Sequence, residues 1–221
     1  MNLLVGTRSG ICRLNIRSKK SYSYNYKDLG YNEFVVNRIY KDSKDRLWVA
    51  AREGIYLYDI DKDNFILYDK INAPTGSIYT IVENSNNELW LGTTNGLFRL
   101  NDDEEWEIIK EYLFNPEGIH ASSITSLCFD RYNHLWVGTR KSGVFLINLE
   151  NQVRIKSYNV DAASKHNLVS NEIRDIIEDR KGRIWIGTKE GVNIYDPFSN
   201  EIDMIDSKIG VINSISQNSV Y

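Results

Sequence analysis

Cysteine, histidine and long apolar runs are what this sequence has least of, and each scarcity removes a class of protein. Two cysteines, Cys12 and Cys128, lie far apart in strand-like segments, and with only three histidines no zinc-ligand spacing is available. The two thiols are expected to be free and buried, as small hydrophobes. The longest apolar runs are strand-sized, so no membrane helix, and no membrane insertion within this chain, is expected. No charged n-region followed by an apolar h-region opens the chain, so no signal peptide is expected. A net charge of −3 gives no global attraction to nucleic acid or to an anionic membrane, and no direct nucleic-acid contact is expected. The chain also lacks a nucleophile elbow, a Gly-rich phosphate loop and a clustered carboxylate pair. Asp42, Asp45, Asp61 and Asp63 are turn and loop acids, not an EF-hand. No catalytic residue, metal or cofactor is assigned. A hydrophobic content of 42% with 12% aromatic residues excludes general disorder.

What is present is a repeat. The stretch Asn87 to Asn101 recurs around Trp48, Trp136 and Trp185, and a fifth copy opens the chain at Leu3-Leu4-Val5-Gly6-Thr7, with Leu4 where the others have Trp. Steps between the equivalent residues Gly6, Ala50, Gly92, Gly138 and Gly187 are 44, 42, 46 and 49 residues. A step of that size fits one four-stranded propeller blade. The fold class expected is therefore all-β: a β-propeller of four-stranded antiparallel blades with about five blades present. The chain is read as one domain, 1–221, with repeats over roughly 1–30, 31–72, 73–114, 115–160 and 161–208, and with 209–221 opening a further blade.

Each full copy resolves into four strands. Strand A (Val36 to Tyr40, Ile78 to Val82, Ile124 to Cys128, Ile173 to Ile177) carries one polar position, Arg38, Thr80, Ser126 or Asp175, expected to reach a wet central channel. The following turn starts at Asp42, Asn84, Asp130 or Asp179, and three residues on has Asp45, Asn87, Asn133 or Gly182, types that tolerate positive φ. Strand B, the Leu-Trp-Val-Gly-Thr phrase, is apolar on both faces, as when neighbouring blades cover both sides of a sheet. Its Trp is the main inter-blade contact, and the Gly two residues later leaves room for a neighbour. A second turn ends on Gly10, Gly54, Gly96, Gly143 and Gly191. Strand C follows, and a more polar strand D fits an outer edge. The chain starts at a strand B and stops in Ser216 to Tyr221, which aligns with the opening of a strand A. Either that segment completes the first blade as a strap or the chain is a fragment of a larger propeller; the fragment is the favoured reading, and its unpaired edges predict self-association or a homodimer.

The phrase Asp179 to Asp196, D-x-x-G-x-I-W-I-G-T-x-x-G-V-x-x-Y-D, resembles the two-component regulator propeller repeat, and Tyr158 through Ile173 resembles the linker between copies. The resemblance covers nearly the whole chain. It implies the periplasmic sensor region of Bacteroides-type hybrid two-component histidine kinases, an oligosaccharide as ligand, and a kinase not contained in this chain. No ligand contact transfers from it residue by residue.

Candidate binding residues come from position. Directly after the last residue of strand B stand Arg8, Arg52, Thr94, Arg140 and Lys189, so four of five copies place a cation at the same point of the blade. Such a basic collar would suit an acidic or sulfated sugar; the competing reading is solvated hairpin tips, with Glu53 and Glu190 beside two of the cations. The two longest connections hold Tyr112, Phe114 and His120, and His166, and long loops on a rigid scaffold are where function gathers. An enzyme alternative, a lyase-type propeller like those that inactivate streptogramins, would draw its general base from His120 or His166, although no catalytic spacing supports either. A generic protein-binding propeller is the third reading.

Overall fold

The computed structural model describes residues 2–24, 34–109, 123–150, 153–160 and 167–205. Among them every regular element is a strand, as the repeat predicts. The first sheet has three strands, β1 (Asn2–Thr7), β2 (Gly10–Asn15) and β3 (Ser21–Ser23). The other four sheets have four strands each. They are β4 (Val36–Lys41) to β5 (Leu47–Ala51), β6 (Gly54–Asp59) and β7 (Asn64–Leu67); β8 (Ile78–Glu83) to β9 (Leu89–Thr93), β10 (Gly96–Leu100) and β11 (Trp106–Ile108); β12 (Ile124–Phe129) to β13 (Leu135–Thr139), β14 (Val144–Asn148) and β15 (Val153–Tyr158); and β16 (Ile173–Glu178) to β17 (Ile184–Thr188), β18 (Val192–Asp196) and β19 (Glu201–Ile205). Each sheet is a meander in chain order. Two compact units result, Met1–Thr94 with Phe98–Glu107, and Asn95–Leu97 with Ile108–Tyr221. The first three sheets lie in the first unit apart from Gly96 and Leu97 of β10 and Ile108 of β11, and the last two lie in the second.

Turn stereochemistry follows the sequence. Asp45, Asn87, Asn133 and Gly182 sit at φ 63, 64, 61 and 84°. The second-turn glycines are also at positive φ, which costs glycine no Cβ clash.

In the second, third and fourth sheets the second strand is covered on both faces. Trp48, Val49, Ala50 and Ala51 are all buried, as are Leu89 to Thr93 and Leu135 to Thr139. The two faces meet different neighbours. In the first unit Val49, Ala51, Tyr56 and Phe65 pack with Ile11 and Tyr24 of the first sheet, whereas Trp48 and Ala50 pack with Leu89, Leu91 and Trp106 of the third. In the second unit Trp136 packs with Ile184 and Ile186. Gly138 lies hard against the neighbouring sheet, as Gly6 does against Val36: a Cβ at Gly138 would lie 2.6 Å from Ile173 Cγ2.

Three expectations need correction. Thr80 and Ser126 are buried, not lining a wet channel, because a β-bulge in each first strand brings them opposite Gly92 and Gly138 of the second strand. The outer strand β11 is not purely polar, since Trp106 is fully buried against Trp48 and Tyr68, with ring centroids 6.4 and 6.3 Å away. Cys12 and Cys128 are free but only half-buried.

Candidate functional site

The turns after strands β1, β5, β9, β13 and β17 form one rim of each sheet and are held by side-chain and backbone hydrogen bonds that recur from sheet to sheet. In the first, fourth and fifth sheets a threonine hydroxyl closes the turn. Thr7, Thr139 and Thr188 donate from Oγ1 to the carbonyls of Gly10, Gly143 and Gly191 at 3.0, 2.9 and 2.9 Å. Each hydroxyl also accepts a backbone N–H from within its turn, that of Ser9, Ser142 or Glu190. The next residue is then pinned by its own backbone. Arg52, Thr94, Arg140 and Lys189 donate N–H to the carbonyls of Val35, Ser77, Ser123 and Glu172, at 2.9 to 3.0 Å. These acceptors immediately precede the first strand of the same blade, so turn and strand entry are joined.

The side chains of Arg8, Arg52, Arg140 and Lys189 are exposed above this frame, Arg8 and Arg52 in the first unit and Arg140 and Lys189 in the second. Where the cation is missing, Thr94 adds a hydroxyl contact to the Ser77 carbonyl at 3.1 Å. Carboxylates moderate the charge. Glu53 accepts the Val35 N–H at 3.3 Å, and Glu172 pairs with Arg174 at 2.9 Å and with Lys189 at 3.6 Å. Arg52 in the first unit and Arg140 and Lys189 in the second thus stand on backbone-pinned positions, with Glu53 and Glu172 alongside, suited to hold an anionic group without reorganising the backbone. Tyr112, Phe114, His120 and His166 lie outside the described residues. Among the described residues, no group of three or more His, Cys, Asp or Glu is placed to hold a metal ion.

Sequence reasoning missed a second recurring constellation, on the turn between the first two strands. Asp42, Asp130 and Asp179 each accept two backbone N–H groups through Oδ1, and through Oδ2 the indole Nε1 of Trp48, Trp136 or Trp185 at 2.8, 3.1 and 3.0 Å. Arg46 and Arg183 add Nε contacts to the same carboxylates at 2.6 and 2.8 Å and cover the indole rings. The Trp185 indole, against the cost of desolvation, leads the contacts that hold the Asp179 carboxyl well below the usual range. The signal in the sequence was a six-residue spacing between the turn acid and the Trp. This cluster carries structure, not chemistry. Cys128 is equally inert, since burial pushes its thiol up to about 11.

The family model for the two component regulator propeller matches residues 72–95, 118–141 and 167–190. A histidine kinase (P4) of Formosa agariphila is 27% identical over 206 residues, covering 86% of this chain and 14% of that protein. Extracellular domains of two hybrid two component systems of B. thetaiotaomicron superpose with TM-scores of 0.75 and 0.78 at 22% identity, covering 99% of this chain and 28% of theirs. Virginiamycin B lyase of Staphylococcus aureus is similar at a TM-score of 0.64 and 18% identity, over 92% of this chain and 64% of that one. The chain thus spans well under a third of the signalling proteins it matches, and the likeness to the solved structures is one of fold. Three stretches of this all-β chain, spaced as its turns and tryptophans are spaced, thus match the two component regulator propeller.

Proposed function

We propose that this chain is an extracytoplasmic sensing propeller of a two-component regulator, and that its turn rim meets an anionic oligosaccharide whose binding is passed to a kinase elsewhere in a longer protein. The observation that carries the reading is the repeat itself, matched three times by a family named for regulators. The location is supported by the neighbours' being extracellular domains. The ligand class is supported by the exposed cations Arg8, Arg52, Arg140 and Lys189, the last three on backbone-pinned positions. The chain itself performs no chemistry in this reading. The lyase alternative rests on fold likeness alone, at 16 to 18% identity.

The test is a glycan array probed with the wild-type chain and with Arg52→Glu/Arg140→Glu. Carboxylated or sulfated oligosaccharides are expected to bind the wild type. The double reversal is expected to weaken that binding by about tenfold or more, since each desolvated charge contact is worth on the order of 1 to 3 kcal/mol. Equal binding by both proteins discards the rim as the ligand face.

A further inference from the structure

Asparagine followed by glycine occurs once in this chain, at Asn95-Gly96. The pair stands in the turn between β9 and β10, inside the phrase that every sheet repeats. The residue just before the turn glycine differs from sheet to sheet: Ser9, Glu53, Asn95, Ser142 and Glu190. The third sheet is the one that places a side-chain amide there.

The side-chain amide carbon of an asparagine can close a five-membered ring with the backbone nitrogen of the next residue, and a Cβ on that residue is the chief obstacle. Gly96 has none, and the space around it is open. A Cβ built at Gly96 would meet nothing within 4 Å, whereas one at Gly54 would lie 3.1 Å from Leu67 Cδ1 and one at Gly143 2.1 Å from the Tyr158 carbonyl oxygen. Asn95 is itself exposed. The turn is anchored one residue earlier: Thr94 donates its N–H and its hydroxyl to the Ser77 carbonyl at 2.9 and 3.1 Å, and its Oγ1 accepts the Ser77 N–H at 3.1 Å. Asn84-Ser85 supplies the contrast, since serine is also a small follower. Asn84 is only 6% exposed; its Oδ1 accepts the N–H groups of Asn86 and Glu88 at 3.0 and 2.9 Å, and its Nδ2 donates to Glu88. That amide is tied in place and cannot swing onto the Ser85 nitrogen.

We propose that Asn95 is a site of spontaneous modification, converting to aspartate and isoaspartate in the folded protein. The Gly96 nitrogen gives up its proton to base and bonds to Asn95 Cγ; the Cγ–Nδ2 bond breaks, and the nitrogen takes a proton and leaves as ammonia. Water then opens the succinimide. Attack at Cγ gives aspartate, and attack at the main-chain carbonyl carbon gives isoaspartate, whose backbone runs through Cβ and Cγ. Either product adds a negative charge to a turn that lacks the cation of the other four. The fold accepts that charge, because Glu53 and Glu190 already hold this position in the second and fifth sheets. The open space around Gly96 accommodates the longer backbone of isoaspartate. The proposal is independent of the ligand reading.

Peptide mapping of the full 221-residue chain, aged at mildly alkaline pH either folded or unfolded in urea, tests it. Electron-transfer fragmentation distinguishes isoaspartate from aspartate. In the folded chain Asn95 is expected to convert at least about tenfold faster than Asn84, and within about threefold of its own rate in urea. Asn84 is expected to speed up on unfolding by about tenfold or more, as its turn bonds are lost. Asn95→Gln, which closes only a six-membered ring, is expected to remove the acidic species that ageing produces on native isoelectric focusing. Asn95→Asp, which presets one product, is expected to keep the wild-type urea midpoint. An Asn95 that converts in urea but stays an amide in the folded chain, an Asn84 that converts as fast, acidic species undiminished in Asn95→Gln, or an Asn95→Asp that does not fold would each overturn the proposal.

Discussion

Asp42 shows how much one short side chain organises. It closes its turn through two N–H bonds, takes the Trp48 indole proton at 2.8 Å and holds Arg46 at 2.6 Å, while its carboxylate is fully covered. Asp42→Ala leaves the indole N–H without its acceptor, and a destabilisation of about 1 to 3 kcal/mol is expected in urea unfolding. Asn at that position, native at Asn84, should restore most of the turn, because its amide oxygen accepts the same two N–H groups. The carboxyls also set a pH dependence. In Asp42 burial works to raise the titration point, but the Trp48 and Arg46 contacts outweigh it and lower the net value. Asp63 is lowered by the Tyr58 hydroxyl and Arg13, and Asp179 by the Trp185 indole. A carboxylate depressed in the folded state stabilises fully above the unfolded value, near 4, and its contribution is lost as pH falls through the folded value. Melting temperature is therefore expected to be level from about pH 7 to 5 and to drop below about 4. An Asp42→Asn/Asp179→Asn variant should show a shallower drop.

At the scale of the element, the unit of construction is the seam between sheets. The first strand of each four-stranded sheet bulges after its first residue, and at two seams the bulged side chain reaches the neighbouring sheet: Asn37 donates to the Ile78 carbonyl and Thr125 to the Ile173 carbonyl, both at 2.7 Å. Gly138 seats Ile173 at the same seam. Gly138→Ala is expected to cost about 1 to 3 kcal/mol through overpacking, although Ala50 is native at the equivalent position. Adding Ile173→Ala should recover part of that loss, which a thermal-melt comparison of the two variants checks. Strand identity, turn φ and the two-faced burial of the second strand were legible in the sequence because each follows from local residue type and period. The bulge, the buried Thr80 and the buried Trp106 were not. They depend on which side chains a neighbouring sheet brings up, and no period within one repeat encodes that. The ion pairs between sheets were hidden for a related reason: Arg13 with Asp63 and Arg46 with Glu104 join different positions of their repeats and meet only in space.

For the whole molecule, the repeat length revealed the architecture, while the site was legible only as far as the four cations. Their pedestals required the backbone bonds to Val35, Ser123 and Glu172 to be seen. The claim on which everything else depends is that no sheet of this chain holds its two apolar faces without its neighbours, as repeat stability predicts. Native-state hydrogen exchange on Trp48→Ala tests this most directly, because Trp48 belongs to the second sheet but packs on Leu89, Leu91 and Trp106 of the third. The account predicts that amides of β4 to β7 and of β8 to β11 lose protection together. Protection lost in β4 to β7 alone, with the third sheet unchanged, would contradict it.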